Sequence, residues 1–442
     1  MRFWPDKNKS GRRLNAKSHK LNAPDLPPIM RFNPQANDYE PFVPARGDSR
    51  PVTSYEVAHQ SHESAENSQK HTPEALKNGS VDSVLLSAVL ILLVFGLLSV
   101  LSASAWVSAE ANANSFAMMG KQLFFALLGL VAMRWASKKS LKSWNQIAVV
   151  FSLIVTALIM LTLVIGTTAN GSSRWLALPM GIQFQPSELA KLACILLTAQ
   201  ALTAKRNFQA LRIGFGALLM LLIAFLVLKQ PNMSMLMLLL GTVGAMAFAS
   251  RVIPVFLFVA MLPIGGATIW WRIQNTPYLW KRIVGWSNPW ADPQGSGYNI
   301  IQSLYAIGNG GVLGSGWGQS IQKLRYLPFP HTDFIFSIIC EELGVFGSLT
   351  LLGLFAVIAW RGFAIALRCR DPFGQFVALG ITASIIIQAL LNIAVAIGLG
   401  PVTGVTLPLV SYGGTSLLVT LLMIGVLLHC SRLTKAPEVN RA

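Results

Sequence analysis

Charge is what this 442-residue chain has least of. Asp, Glu, Lys and Arg together make up 12% of it, against 53% hydrophobic residues, and a soluble domain carries roughly twice that charged share. An ordinary soluble globular protein is therefore excluded. Several apolar runs exceed the roughly 18–20 residues that span a bilayer as helix. No run alternates with the period of a porin strand, so helices are the only spanning structure left. Cysteine is scarce too. Cys194, Cys340, Cys369 and Cys430 have neither zinc-site spacing nor the look of a disulfide framework, and read as small apolar residues. The run Gly308–Gly311 lacks the Lys-Ser/Thr and the strand–loop–helix setting of a phosphate loop. There is no metal-ligand pattern and no transporter-type internal repeat, and no cleavable signal peptide is expected, because the first apolar run begins only near Val84.

What is present is basic. The net charge of +17 suggests nucleic acid until its distribution is read. Most Lys and Arg fall in the first eighty residues or in short loops between apolar runs, as membrane topology predicts. A nucleic-acid partner is not expected, whereas the basic tail suits anionic headgroups. Residues 1–80 are rich in Pro, Asn, Ser, Lys and Arg and are expected to form a disordered cytoplasmic tail. Residues 81–432 form the polytopic membrane domain, and 433–442 a short cytoplasmic C-terminal tail.

The fold class expected is an all-α integral membrane protein of about ten transmembrane helices. Their spans are 84–104, 117–136, 146–166, 187–204, 211–229, 232–250, 252–272, 333–360, 374–398 and 407–430. Loops after even-numbered helices carry the Lys and Arg, for example Lys138, Lys139 and Lys142 or Arg361, Arg368 and Arg370. Both termini are therefore expected in the cytoplasm. A long extracytoplasmic loop, 273–332, separates helices seven and eight. Its tryptophans (Trp280, Trp286, Trp290) and its apolar Ile300, Ile301 and Leu304 predict a folded cap on the bilayer surface.

Scarcity of charge makes each remaining carboxylate informative. Beyond the first eighty residues there are only Asp82, Glu110, Glu188, Asp292, Asp333, Glu341, Glu342, Asp371 and Glu438, with two histidines, His331 and His429. An ionisable residue at membrane depth is a functional candidate by default. Asp333 opens helix eight, where an N-cap is the structural alternative and general base the functional one. His331 stands beside it, and Glu341 lies two turns on. Lys323 and Arg325 approach along the loop. Glu188 and Lys191 sit at i, i+3 near the start of helix four, either a clamp or the wall of a polar cavity, with the cavity preferred. From Gly400 to Ser416 two prolines and several glycines interrupt an apolar stretch. That predicts a broken segment lined by Ser411, Tyr412 and Ser416. Gln388 and Asn392 read as interhelical hydrogen-bond partners.

Several segments in order carry a resemblance: Gly171-Ser-Ser-Arg-Trp, Gln185-Pro-Ser-Glu-Leu-Ala-Lys, Asn288-Pro-Trp, Gln302-Ser, Gln322-Lys-Leu-Arg, His331-Thr-Asp-Phe, Glu341-Glu-Leu-Gly and Leu407-Pro-Leu-Val-Ser-Tyr-Gly-Gly-Thr-Ser. From helix one to helix ten the chain resembles the SEDS family of bacterial membrane glycosyltransferases, its division branch more than its elongation branch. The resemblance implies a peptidoglycan glycosyltransferase of the bacterial plasma membrane that polymerises lipid II at the division septum, with its active site on the outer face. It implies Asp333 as the catalytic residue and Glu188 as a functionally important polar position; the residues themselves add His331 as a neighbour that tunes Asp333, and Arg174, Lys191, Gln302, Lys323, Arg325, Glu341 and Ser411 as substrate-binding or cavity positions. Lys323, Arg325 or Arg174 is expected to offset the pyrophosphate charge. No cofactor is fixed by the sequence, and a divalent cation, Mg or Mn, stays open with its ligands unknown. The expected partners are lipid II, a class B penicillin-binding protein and other divisome membrane proteins. A lipid II flippase, an elongation-type polymerase and a non-catalytic scaffold are the alternatives. One position departs from the family's pattern: Gln230-Pro231 is followed by Asn232 where the family has Asp.

Overall fold

The computed structural model describes residues 30–33, 38–41, 79–112, 116–169, 172–178, 182–204, 210–230, 232–250, 266, 270, 274–324 and 326–434. Two strands near the N-terminus, β1 (Met30–Asn33) and β2 (Asp38–Pro41), pair antiparallel with Met30 opposite Pro41. These eight residues are strand where the tail was expected to be disordered. The rest of residues 1–78 lies outside the described residues, as does 435–442.

The main unit is helical. Its elements are α1 (Ser83–Asn112), α2 (Ala117–Lys138), α3 (Leu141–Ile165), α4 (Pro186–Thr203), α5 (Ala210–Lys229), α6 (Met233–Ser250), α7 (Pro277–Ser287), α8 (Tyr298–Gly310), α9 (Ile335–Arg368), α10 (Pro372–Ala396) and α11 (Gly414–Ser431). Seven of those described (α1, α2, α3, α6, α9, α10 and α11) are long and apolar enough to cross a membrane. The expected seventh helix, 252–272, lies almost wholly outside the described residues. Between α3 and α4 three short strands, β3 (Thr167–Ala169), β4 (Ser172–Leu178) and β5 (Ile182–Phe184), form an antiparallel meander that the sequence pattern did not suggest.

Local chemistry sets several boundaries. Asp371 caps α10 by accepting from the amides of Phe373 (2.9 Å) and Gly374 (3.4 Å), with Pro372 at the first helical position, a combination that satisfies orphan amides and preorganises the first turn. Pro186 opens α4 in the same way. The core is one large apolar cluster drawn chiefly from α1, α2, α4, α9, α10 and α11, with a second among α3 to α6. Around it α1 and α2 turn Ile91, Val94, Phe124, Leu127 and Val131 outward. An apolar exterior of this kind is stable in lipid and not in water.

Three expectations need correcting. The last helix begins at Gly414 and not near 407; residues 397–413 have no regular helix, which is the broken segment. Helix eight begins at Ile335, runs to Arg368 and is interrupted at Gly344. Its N-cap is Phe334, without a side-chain cap bond, so Asp333 is not the cap of this helix.

Candidate functional site

The broken segment organises the site. Non-helical backbone at membrane depth survives only where its polar groups find partners in the protein, and here side chains from three helices supply them. Arg282 on α7 donates to the carbonyl of Val402 at 2.7 Å, and Ser234 on α6 to that of Thr403. Asn392 on α10 reaches Val405 O at 2.7 Å, and Gln388, one turn earlier, reaches Thr406 O at 2.9 Å. Gln388 is in turn held by Lys191 Nζ at 2.9 Å, and Lys191 by Glu188 at 2.6 Å, with Lys191 only 1% exposed. Lys191 and Glu188 therefore sit at the far end of a buried chain of polar contacts, which acts as a clamp on the segment.

Asp333 is fastened to the same stretch. Asn392 donates to its backbone carbonyl at 2.9 Å. Ser411 donates to Thr332 O at 2.6 Å and receives the amide of Leu407 at 2.7 Å. Its carboxylate faces Gly404, whose φ is +73°; a Cβ built there lies 3.6 Å from Asp333 Oδ2. The left-handed backbone at 404 thus favours glycine, and the carboxylate lies at ordinary contact distance from that position. Burial raises the Asp333 carboxyl to about 6, opposed by the positive charge of Arg282, by the Thr332 hydroxyl and by Arg174. Raised by burial and held down by the charges of two arginines, the carboxyl is poised near neutrality, the range general bases require.

Of the positions expected at the site, the structure brings Arg174, His331 and Ser411 to Asp333. His331 is not its electrostatic tuner. Burial pushes its imidazole down to about 4, so it is neutral, and its ring meets that of Tyr412 edge-on at 5.6 Å. Glu341 and Lys323 lie elsewhere, in a second buried cluster: Lys323 Nζ is 2.7 Å from Glu342 and 3.0 Å from Ser102 Oγ. An ammonium held there is committed to Glu342 and does not face a diphosphate at Asp333. Gln302 is partly buried on α8, and Arg325 lies outside the described residues. Asn232 starts α6, accepting from the amide of Met235 at 3.4 Å. The residue missed was Arg282, one of several cations in the 273–332 loop. Gln388 and Asn392 were undervalued, although two amides at i, i+4 on one face of an apolar helix are themselves a signal.

The comparisons agree with one another. The chain is 42% identical over 366 residues to stage V sporulation protein E of Bacillus subtilis, covering 81% of this chain and 99% of that protein. It is 38% identical over 355 residues to a probable peptidoglycan glycosyltransferase FtsW of Geobacter metallireducens, covering 79% and 94%. Among solved structures, a chain of a peptidoglycan synthase complex that coordinates polymerization and crosslinking superposes with a TM-score of 0.64 at 31% identity, covering 80% of this chain and 98% of that one. The rod shape determining protein RodA of Thermus thermophilus does so with a TM-score of 0.58 at 29% identity, covering 80% and 98%. The FtsW/RodA/SpoVE model of cell cycle proteins matches residues 83–436, and this multi-pass membrane protein belongs to that family.

Proposed function

We propose that this protein polymerises lipid II into glycan strands on the outer face of the plasma membrane, with both termini in the cytoplasm. The observation that carries the reading is Asp333: a carboxyl poised near pH 6 that feels the positive charge of Arg282 and Arg174 and lies against Gly404. Relatives named as probable peptidoglycan glycosyltransferases support it. Asp333 takes the proton of the acceptor N-acetylglucosamine 4-hydroxyl as that oxygen attacks C1 of the donor N-acetylmuramic acid. The configuration at C1 inverts, the bond to the diphosphate breaks, and undecaprenyl diphosphate leaves carrying the electron pair. Arg282 and Arg174 offset the charge that develops on the leaving group. A carboxylate acted on by two guanidinium charges suits an anion better than a divalent cation, and no three His, Cys, Asp or Glu side chains converge among the described residues. No step is therefore routed through a metal. The expected partner is a class B penicillin-binding protein within the divisome, and the expected place is the septum.

Purified protein given labelled lipid II in detergent is expected to make glycan strands resolvable by gel, and Asp333→Ala to make none. Strand synthesis unchanged in that variant overturns the assignment. Activity should fall as pH drops through about 6, because protonation removes the base. In Arg282→Ala the acid limb should move higher, since that guanidinium holds the carboxyl down. A limb that stays in place detaches Arg282 from the base.

The buried polar chain along irregular backbone favours a second reading, a lipid II flippase. Lipid II translocation without polymerisation in proteoliposomes is the result that selects it.

A further inference from the structure

Helix α9 is broken at Gly344, and the break is filled by the loop that follows α8. With φ +60° and ψ −154°, Gly344 stops the hydrogen-bond ladder. The amide of Val345 turns out to Gly311 O (3.2 Å) and Val312 O (3.1 Å). The two carbonyls this frees are taken by the loop: Glu341 O by the amide and hydroxyl of Ser315, both at 2.9 Å, and Glu342 O by the amide of Gly316 at 3.0 Å. Above the break, Ile335–Leu343 is a short helix of its own.

Buried side chains complete the junction. The Glu341 carboxylate accepts from the Ser320 hydroxyl and from the amides of Ile321 (3.1 Å) and Gln322 (3.3 Å). Glu342 accepts from Ser102 of α1 at 2.6 Å and pairs with Lys323 at 2.7 Å. Glu341, Glu342, Lys323, Ser320 and Ser102 are each at most 7% exposed. Loop, α1 and the short helix are thereby joined at one buried point. The other end of the short helix carries Asp333, where Asn392 and Ser411 hold the turn.

A buried ion pair is a poor stabiliser, because apolar residues of like volume do as well or better. What it supplies is a defined geometry. We propose that Lys323, Glu342 and Ser102 form a latch whose role is positional: it fixes Ile335–Leu343, and with it Asp333, at the turn held by Asn392 and Ser411. The proposal rests on the reading of Asp333 as the base. Lys323 and Glu342 are positioning residues, acting through the helix on a group nine residues from Glu342.

The test separates geometry from stability. Lys323→Met alone leaves a buried carboxylate without its cation and is expected to lower thermal stability. The double variant Lys323→Met/Glu342→Leu replaces the pair by apolar side chains and should recover it. If the latch positions Asp333, kcat on lipid II stays down about tenfold or more in the stable double variant, since small misplacements of a catalytic group are costly. KM should remain within about twofold of the parent. Recovery of kcat to the parent value in the double variant overturns the proposal. A second measurement needs no turnover: Asp333→Cys is labelled with a charged maleimide, against a background of four native thiols that are all buried. Labelling should quicken about tenfold when the double variant is added, as local opening of the segment becomes easier. An unchanged labelling rate also overturns the latch. Because labelling is independent of glycan synthesis, a protein that makes no strands would refute the polymerase assignment without touching this result.

Discussion

Asp333→Asn is expected to lower glycan synthesis by about 10²–10⁴-fold, the usual worth of a positioned acid–base group, and at the same time to raise the melting temperature. The two effects share a cause. Burial lifts the Asp333 carboxyl from 3.8 to about 6 although Arg282, the Thr332 hydroxyl and Arg174 all pull it down, so the ionised form that catalysis needs is the form the fold disfavours. The sign follows from linkage. A carboxyl raised in the folded state binds more protons there than in the unfolded chain, so its contribution favours folding below about pH 4 and is lost as pH rises through about 6. A carboxyl moved that far corresponds to at most ~3 kcal/mol, and partial exposure of the side chain makes the realised value smaller. The asparagine variant carries no such cost at any pH. It should melt a few degrees above the parent at pH 8 and draw level only below about pH 4, read by thermal unfolding in detergent at a series of pH values. Equal melting at pH 8 would show that the carboxylate is not disfavoured by its surroundings. Full glycan synthesis by the variant would remove Asp333 from the chemistry altogether. A functional group held at a cost to stability is a common signature of active sites.

How much of this was legible in the sequence depends on how local the cause is. The apolar runs mark the helices because length and hydropathy are properties of the segment alone. The prolines and glycines from Gly400 onward mark the broken segment for the same reason. Asp333 stands out because carboxylates are rare beyond residue 80. The partners of these features were not legible. Arg282 lies some fifty residues before Asp333 and meets the segment at Val402 only because α7 folds back upon it. Lys323 has the charge and the place in sequence to suit a diphosphate, yet Glu342 and Ser102 claim it, and Ser102 is 240 residues from Glu342. No spacing rule records an encounter of that kind. The N-cap alternative for Asp333 had sound local logic and failed by one residue, because the turn from His331 is pinned by Ser411 and Tyr412 so that the helix starts after Phe334.

The glycine at 344 shows the reverse case, where a local signal was present and its consequence was not. Glu341-Glu342-Leu343-Gly344 reads as continuous helix, since an isolated glycine is tolerated there at about 1 kcal/mol. The structure gives Gly344 a conformation that is essentially restricted to glycine. A Cβ at that position would stand 2.5 Å from both Gly314 N and Val312 O, and both are backbone atoms that cannot rotate away. On the facing side, Gly314 and Gly310 sit so close to the carbonyls of Glu342 and Cys340 that neither position accommodates a side chain. Gly344→Ala is therefore expected to be among the most damaging single-methyl changes in the protein, costing about 1–3 kcal/mol in backbone strain with the steric conflict in addition. The variant should show a melting temperature lowered by about 4 °C or more, a smaller monodisperse fraction in detergent, and glycan synthesis lost with it. Gly353, in the same helix, has no atom within 4 Å of its built Cβ, so Gly353→Ala should leave stability unchanged or slightly raised, because alanine is the better helix former. The pair isolates the cause. Equal behaviour of the two variants would mean that the α9 break is not fixed by Gly344, and that the loop from Gly311 to Gly316 can leave the helix without consequence.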